Sequence, residues 1–305
     1  MTNRVGQVNL YSDSANWSGG KKAGGAGATL SFHAYNVVGL YHSMCVDEDA
    51  TLGVINLPST RGALSITNNA SGHGFIFDNG ASDSLIQVTD PRFYAPRHIN
   101  IPITLDNTTL KIICVLGGDK STSTMIFNSF AGNGNLYVNN CTGTPDAGYL
   151  QIMRISGLIS ITGNLTLDNS PTYARITGDA LHIDGKNNTY PGGTFVKAGN
   201  MYVHQTGGLG TGNVFVGAYA ILTLNASDAI NPDATLSFTA DPEGASMLRK
   251  VNLGPSGTVN TVRGLMFGND RQPPRTYTAV SDPDYFTGAG TLIVLPPKGS
   301  MLFLK

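Results

Sequence analysis

Apolar residues along the chain come in short runs that alternate with polar residues, and each run is bounded by Gly, Asn, Asp or Pro. Examples are ALSIT at 63–67, TTLKIICV at 108–115 and LISIT at 158–162. Alternation with a period of two is typical of β-strands. No stretch places apolar residues at helical spacing over three turns, so any helices are short. We therefore expect an all-β protein.

One five-residue pattern, Gly-Asn-apolar-x-apolar, recurs along the chain. Its copies are GNLYV, GNLTL, GNMYV and GNVFV, which start at Gly134, Gly163, Gly199 and Gly212. Repeats of one strand plus one turn are typical of solenoids, in which stacked coils form inner ladders of apolar side chains. Gly would supply a corner with positive φ, and Asn would hydrogen-bond the turn or stack on Asn of the next coil. The pattern favours a parallel β-helix over one or two β-sandwiches, because a sandwich does not require repetition.

The x position of this motif would point outward from such a coil. It is occupied by Tyr137, Thr166, Tyr202 and Phe215, so a partial aromatic ladder would follow on the outer surface. Phenylalanines inside apolar strands are expected in the core: Phe75, Phe77, Phe127, Phe215 and Phe238.

Composition and charge narrow the function classes. The chain of 305 residues has 38 Gly, only 13% charged residues and a formal net charge of −1, which is unusual for a cytosolic enzyme. Since no basic run is longer than Lys21-Lys22, we expect neither nucleic acid nor a membrane surface as partner. No segment reaches the ~18 to 20 apolar residues of a membrane span. We expect a secreted or extracellular protein whose signal peptide has been removed.

The cysteines indicate neither a disulfide framework nor a zinc site. Cys45, Cys114 and Cys141 are odd in number and widely spaced, with no Cys-x-x-Cys pattern and no adjacent His. Buried thiols are the favoured interpretation.

Three segments resemble known repeat proteins. YPGGTFVKAGNMYVHQTGGLGTGNVFVGAYAILTLNA, at 190–226, resembles the autotransporter-associated β-strand repeat through Tyr190, Gly192-Gly193-Thr194 and the later L-G-x-G-x-V-x-V pattern. DSANWSGG at 13–20 and the closing segment at 265–295 resemble the ends of large secreted proteins from polysaccharide-degrading bacteria. In length, class and repeat style the chain is similar to the β-helix xylan-binding carbohydrate-binding module family of gut bacterial xylanases. This resemblance implies a right-handed parallel β-helix, a single domain over residues 1–305 with capped ends.

Catalytic signatures are incomplete. Known parallel β-helix enzymes cleave pectin and other uronates with converging carboxylates. Only Gly72-His73-Gly74 matches part of a polygalacturonase-like signature, and we expect His73 to be a turn residue. The one tight acidic cluster, Asp47, Glu48 and Asp49, is expected to be a solvated loop, with a structural Ca²⁺ site as the second interpretation. We therefore expect no enzyme activity and no cofactor other than that Ca²⁺.

Sugar rings rest their C–H faces on aromatic rings, and their hydroxyls hydrogen-bond to polar side chains. The segment at 90–98 combines these residue types around Pro91 and Pro96, which would make it easy to order on binding. A role in capping one end of the solenoid is an equal alternative for this segment, and Trp17 is favoured as cap packing. The candidate ligand contacts are Arg92, Phe93, Tyr94, Arg97, His98, Tyr137, Tyr149, Tyr173 and Tyr202.

Three functional hypotheses remain. The leading one is a non-catalytic carbohydrate-binding module that binds plant cell-wall polysaccharide, with xylan as the best guess, and targets a covalently linked glycoside hydrolase such as a xylanase. The second is a β-helix lyase or hydrolase acting on uronates. The third is an adhesin-like or spacer segment of a larger surface protein. Product formation distinguishes the second hypothesis, and retention by a polymer separates the first from the third.

Overall fold

The computed structural model describes residues 9–32, 42–57, 63–69, 72–88, 96–115, 122–142, 150–169, 180–239 and 250–299. This part of the chain contains no α-helix, and its helical content is limited to the 3-10 turns Ser14–Asn16 and Ser18–Gly20. The expected all-β class is therefore confirmed. No helix in the described ranges is long and apolar enough to cross a membrane.

The strands follow the alternating runs of the sequence. In chain order they are β1 Asn9–Leu10, β2 Thr29–Ser31, β3 His42–Val46, β4 Ala50–Leu52, β5 Val54–Leu57, β6 Leu64–Asn68, β7 Phe75–Phe77, β8 Ser84–Val88, β9 Arg97–Val115, β10 Thr122–Thr142, β11 Leu150–Ile155, β12 Ile159–Ile161, β13 Leu165–Asp168, β14 Ala180–Ile183, β15 Thr194–Val203, β16 Val214–Leu224, β17 Thr235–Phe238, β18 Lys250–Asn252, β19 Val259–Val262, β20 Gly264–Phe267, β21 Asp270–Arg271, β22 Thr276–Tyr277, β23 Phe286–Thr287 and β24 Thr291–Val294.

Parallel pairing places these strands in three rows. Row A joins β1, β3, β6, the first parts of β9 and β10, β11, β14, the second parts of β15 and β16, β18 and β23. Row B joins β4, β7, the middle parts of β9 and β10, and β12. Row C joins β2, β5, β8, the last parts of β9 and β10, β13, the first parts of β15 and β16, β17 and β20. Strands β19 and β24 form a further parallel pair, and only β20–β21 and β22–β24 are antiparallel among the described strands.

Inward-facing residues of successive strands form continuous apolar ladders. The row A ladder is buried throughout and pairs, in order, Met44, Ile66, Ile99, Phe127, Ile155, Ile183, Val203 and Leu224. Residues between the inward positions are half-buried and face outward, as in the alternating strand β8. Apolar burial in these ladders is the main stabilising contribution to the fold.

Most of the residues predicted to lie in the core are found there. Of the five phenylalanines, Phe215 alone is half-buried, because it lies between the inward-facing Val214 and Val216. Cys114 is buried as expected, whereas Cys45 is half-buried on the outer side of row A.

Aromatic residues pack at both ends of the described chain. Trp17 is buried, meets the ring of Tyr11 edge-on at 5.3 Å and donates its Nε1–H to the Tyr11 carbonyl at 2.9 Å, so its predicted packing role is confirmed. In the closing segment, the rings of Phe267 and Tyr285 stack at 3.6 Å. The guanidinium of Arg275 lies 3.9 Å from the centre of the Tyr277 ring.

The Gly-Asn motif has a different physical cause from the one expected. Only Gly199 has a positive φ, 98°, so the expected left-handed corner is wrong for Gly134, Gly163 and Gly212. At these three positions the glycine lies directly against the backbone of the preceding row C segment, and an added Cβ would collide with it.

Asparagine side chains bond neighbouring row C segments in the first and fourth copies of the motif, and in the fourth copy Oδ1 of Asn213 accepts from the backbone N–H of Thr235 at 2.8 Å. The backbone N–H of Asn164 donates to Oδ1 of Asn135 at 3.0 Å, and Nδ2 of Asn135 donates to Oγ1 of Thr109 at 3.3 Å. Side-chain amides thus link neighbouring coils at this corner.

Replacing Gly134 by Ala is expected to lower the free energy of unfolding by ~1 to 3 kcal/mol, the usual cost of overpacking. The new Cβ would meet the carbonyl oxygen of Thr108, which is backbone and cannot move aside. Chemical denaturation followed by circular dichroism measures this. Gly24→Ala is the matched control, since its Cβ would lie 3.7 Å from the Tyr11 hydroxyl. Equal stability of the two variants would refute the packing explanation.

Candidate functional site

A ladder of outward-facing side chains runs along row C. It is longer than the set of four positions predicted from the motif. Its residues pair in register in the order Thr29, Val54, Leu85, Lys111, Tyr137, Thr166, Phe195, Phe215, Ser237 and Met266. Because neighbouring strands lie about 4.8 Å apart, this ladder, the row C ladder, is ~43 Å long. It is a long, regular surface, suited in shape to an extended ligand.

Aromatic rings occupy the middle of the row C ladder. Phe195 and Phe215 lie on adjacent coils with ring centres 6.2 Å apart, and Tyr137 lies two coils before Phe195. All three side chains are half-buried, so one side of each remains accessible. Thr166 lies between Tyr137 and Phe195 and leaves a gap between the rings.

Charged side chains flank these rings in pairs. Nζ of Lys111 lies 2.6 Å from Oδ2 of Asp83, and Nζ of Lys197 lies 3.7 Å from Oδ2 of Asp168. Tyr137 hydrogen-bonds to Asp168, and its pKa is raised by desolvation and then by the negative charge of Asp168. The flanks therefore offer hydrogen-bond donors and acceptors with little net charge.

A polar groove of about 400 Å³ lies at the corner that precedes the row C ladder. Its walls include Asp83, Asn107, Thr109, Asn133 and Asn135, and Asn107 adopts a left-handed φ of 51°. Amides and hydroxyls of this kind can exchange hydrogen bonds with the hydroxyls of a sugar. The groove and the ladder together form one polar and aromatic surface.

A second cluster lies on the outer side of row A. Arg154, His182 and Tyr202 pair in register on three successive coils. The rings of His182 and Tyr202 are nearly parallel, with centres 4.9 Å apart. Burial lowers the pKa of His182 to about 4, with a further contribution from the positive charge of Arg154, so its imidazole is neutral at pH 7.

Asp184 and His204 complete this row A cluster. Nδ1 of His182 lies 2.9 Å from Nε2 of His204, which is 3.9 Å from Oδ1 of Asp184. Nη1 of Arg154 donates to Oδ2 of Asp184 at 2.7 Å. Asp184 also lines a groove of about 680 Å³ together with the exposed Leu158, Lys186 and Gln205 among others.

The structure does not bring the predicted contact residues together. Tyr137 lies on row C, whereas His98 and Tyr202 lie on row A. The prediction that Tyr202 belongs to the aromatic ladder is therefore wrong, and Phe195 occupies the position expected for it. Arg97 is 1% exposed, which argues against its predicted contact with a ligand. Five candidates lie outside the described residues: Arg92, Phe93, Tyr94, Tyr149 and Tyr173.

The three carboxylates of the acidic cluster at 47–49 each have a partner in the structure. Asp47 accepts hydrogen bonds from Ser12, Glu48 pairs with Lys22, and Asp49 accepts from the backbone of Gly74. These carboxylates point to separate partners. Among the described residues, the group of three side chains close enough for a metal is His182, Asp184 and His204 of the row A cluster.

His73 also has a structural contact, since its Nδ1 lies 3.3 Å from Oδ1 of Asp49.

Sequence reasoning missed Phe195 and, of the row A cluster, every residue except Tyr202. The signal was present as two short alternations, His182-Ile183-Asp184 and Tyr202-Val203-His204. In each of these segments, a buried residue stands between two outward-facing polar or aromatic side chains. The two segments pair in register. Only the pairing of coils shows that they meet.

Comparisons with family models, with curated proteins and with solved structures find no match to this chain.

Proposed function

We propose that the three rows are the faces of a right-handed parallel β-helix, a single domain over residues 1–305 with capped ends. Pairing of nearly every strand with one a full turn earlier supports this proposal, as with Ile99, Phe127, Ile155 and Ile183, each 28 residues apart. Right-handedness is supported by the general rule that parallel crossover connections are right-handed.

We propose further that the protein is a secreted, non-catalytic module that binds plant polysaccharide, with xylan first, and directs a covalently linked glycoside hydrolase to it. The row C ladder is the observation that supports this function. Rings at Tyr137, Phe195 and Phe215 would receive the faces of successive sugar units, and the neighbouring polar groove would bind their hydroxyls. A rigid row of contacts also avoids much of the ordering cost of binding.

The distribution of carboxylates favours binding over cleavage. Uronate hydrolysis needs unpaired carboxylates that converge on one groove. Several carboxylates instead pair with a basic side chain: Glu48 with Lys22, Asp83 with Lys111, Asp168 with Lys197, Asp184 with Arg154, Asp233 with Arg263 and Asp282 with Arg275. The enzyme and spacer hypotheses remain as alternative outcomes of the test below.

Affinity electrophoresis in gels containing xylan, pectin, β-glucan or mannan tests the proposal, with release of reducing ends assayed on the same polymers. We expect retardation by xylan without product. Tyr137→Ala and Phe215→Ala should each weaken retention roughly two- to tenfold, because a stacking contact contributes ~0.5 to 1.5 kcal/mol.

Tyr202→Ala is the matched control, since Tyr202 is a half-buried ring on row A. Its retention should equal that of the unchanged protein. Product from a uronate polymer would establish the enzyme hypothesis, and absence of retention by every polymer would leave the spacer hypothesis. Loss of retention in Tyr202→Ala alone would move the binding surface to row A.

A further inference from the structure

The row A cluster has the donor atoms of a transition-metal site. His182 Nδ1, His204 Nε2 and a carboxylate oxygen of Asp184 all lie within 4.8 Å of one another. In a tetrahedral site with bonds of ~2.0 to 2.1 Å, neighbouring ligand atoms are ~3.3 Å apart. The distances of 2.9 Å between the two nitrogens and 3.9 Å between His204 Nε2 and Asp184 Oδ1 lie on either side of that value. Small side-chain rotations would therefore suffice to enclose an ion.

A hydrogen bond between the two imidazoles also explains the short distance between the nitrogens. Each ring has a second nitrogen that can hold its proton, so both facing nitrogens can present lone pairs without loss of a proton. Nδ1 of His204 lies 3.4 Å from the amide of Asn225, whose oxygen accepts that proton when the amide is turned. Metal-bound histidines are commonly held by such an outer hydrogen bond.

Arg154 orients the third ligand. Its hydrogen bond to Oδ2 leaves Oδ1 of Asp184 directed to His204. The guanidinium charge opposes cation binding, but the carboxylate that it pairs with compensates for that charge. The cluster lies at the edge of the groove of about 680 Å³ that Asp184 also lines.

We propose that His182, Asp184 and His204 form a three-ligand site for a divalent transition metal of the zinc class, with the fourth position left to water or to a ligand oxygen. Two imidazoles and one carboxylate suit Zn²⁺ and its neighbours, whereas Ca²⁺ and Mg²⁺ prefer all-oxygen sites. This inference does not rest on the proposed binding of polysaccharide by row C.

Isothermal titration calorimetry of the chelator-treated full chain with ZnCl₂ tests the site. We expect one Zn²⁺ per chain, an increase in Tm with Zn²⁺, and no comparable heat with CaCl₂ or MgCl₂. His204→Gln and Asp184→Asn should weaken Zn²⁺ binding at least about tenfold, since even loss of an outer-shell partner typically costs 10- to 100-fold. The Tm increase should disappear in the same variants.

His98→Ala is the matched control, because His98 also faces outward on row A but pairs with Ser65 and Ile126. It should bind Zn²⁺ like the unchanged protein. Circular dichroism of each metal-free variant establishes that it is folded. No Zn²⁺ binding by the unchanged protein would overturn the proposal, and so would unchanged affinity in His182→Ala/His204→Ala, because the ion would then lie elsewhere.

Discussion

Phe127→Ala is expected to lower the free energy of unfolding by ~3 to 5 kcal/mol, the usual cost of truncating a buried phenylalanine. Phe127 is completely buried in row A, between Ile99 and Ile155 of the neighbouring coils. Its ring centre lies 5.4 Å from that of Phe130. Both neighbours in the row already fill their own buried positions, so few other side chains can fill the cavity.

Phe215→Ala is the control for this prediction, since Phe215 is a phenylalanine on the outer side of row C. Truncating the Phe215 ring should lower the free energy of unfolding by ~1 kcal/mol, about half the contribution of a fully buried side chain. Urea denaturation followed by circular dichroism compares the two variants. Equal losses would place Phe215 in the core and remove one of the rings on which the proposed polysaccharide surface depends.

The contrast between the buried Phe127 and the outward-facing Phe215 also shows how far the sequence predicted the fold. Alternation predicted the strands, because it depends on local preferences that every strand must meet. Which face a residue occupies depends instead on how many residues each turn contains. Loops of unequal length separate the motif copies, so Gly199 begins a row A segment whereas Gly134, Gly163 and Gly212 begin row C segments.

Tyr202 and Phe195 illustrate the consequence for the candidate sites. Tyr202 occupies the same motif position as Tyr137, but it lies on row A beside His182. Phe195 lies outside the motif, and the pairing of Thr166 with Phe195 places it on row C. Local patterns therefore predicted outward-facing positions correctly at Tyr137 and Tyr202 but not their neighbours, which are set by pairing across coils.

Asn188→Ala is expected to lower the free energy of unfolding by ~2 to 4 kcal/mol, because it would leave buried backbone groups without partners at ~1 to 3 kcal/mol each. Asn188 is 3% exposed. Its Oδ1 accepts from the backbone N–H of Ile159 at 2.7 Å, and its Nδ2 donates to the carbonyl of Gly208 at 2.8 Å. One amide thereby joins the coil before it to the coil after it.

Thr189→Ala tests whether the amide itself matters, since Thr189 is the exposed neighbour in the same turn and keeps its backbone hydrogen bond to Ile159. It should change stability by less than ~0.5 kcal/mol. Oδ1 of Asn260 accepts from the backbone N–H of Ala229 at 2.8 Å, and its Nδ2 donates to the carbonyl of Ala226 at 3.1 Å. Asn260→Ala should therefore lose as much stability as Asn188→Ala. If thermal and urea denaturation found both asparagine variants as stable as Thr189→Ala, water would be able to replace these amides. The coils would then be held together by strand pairing and apolar burial alone.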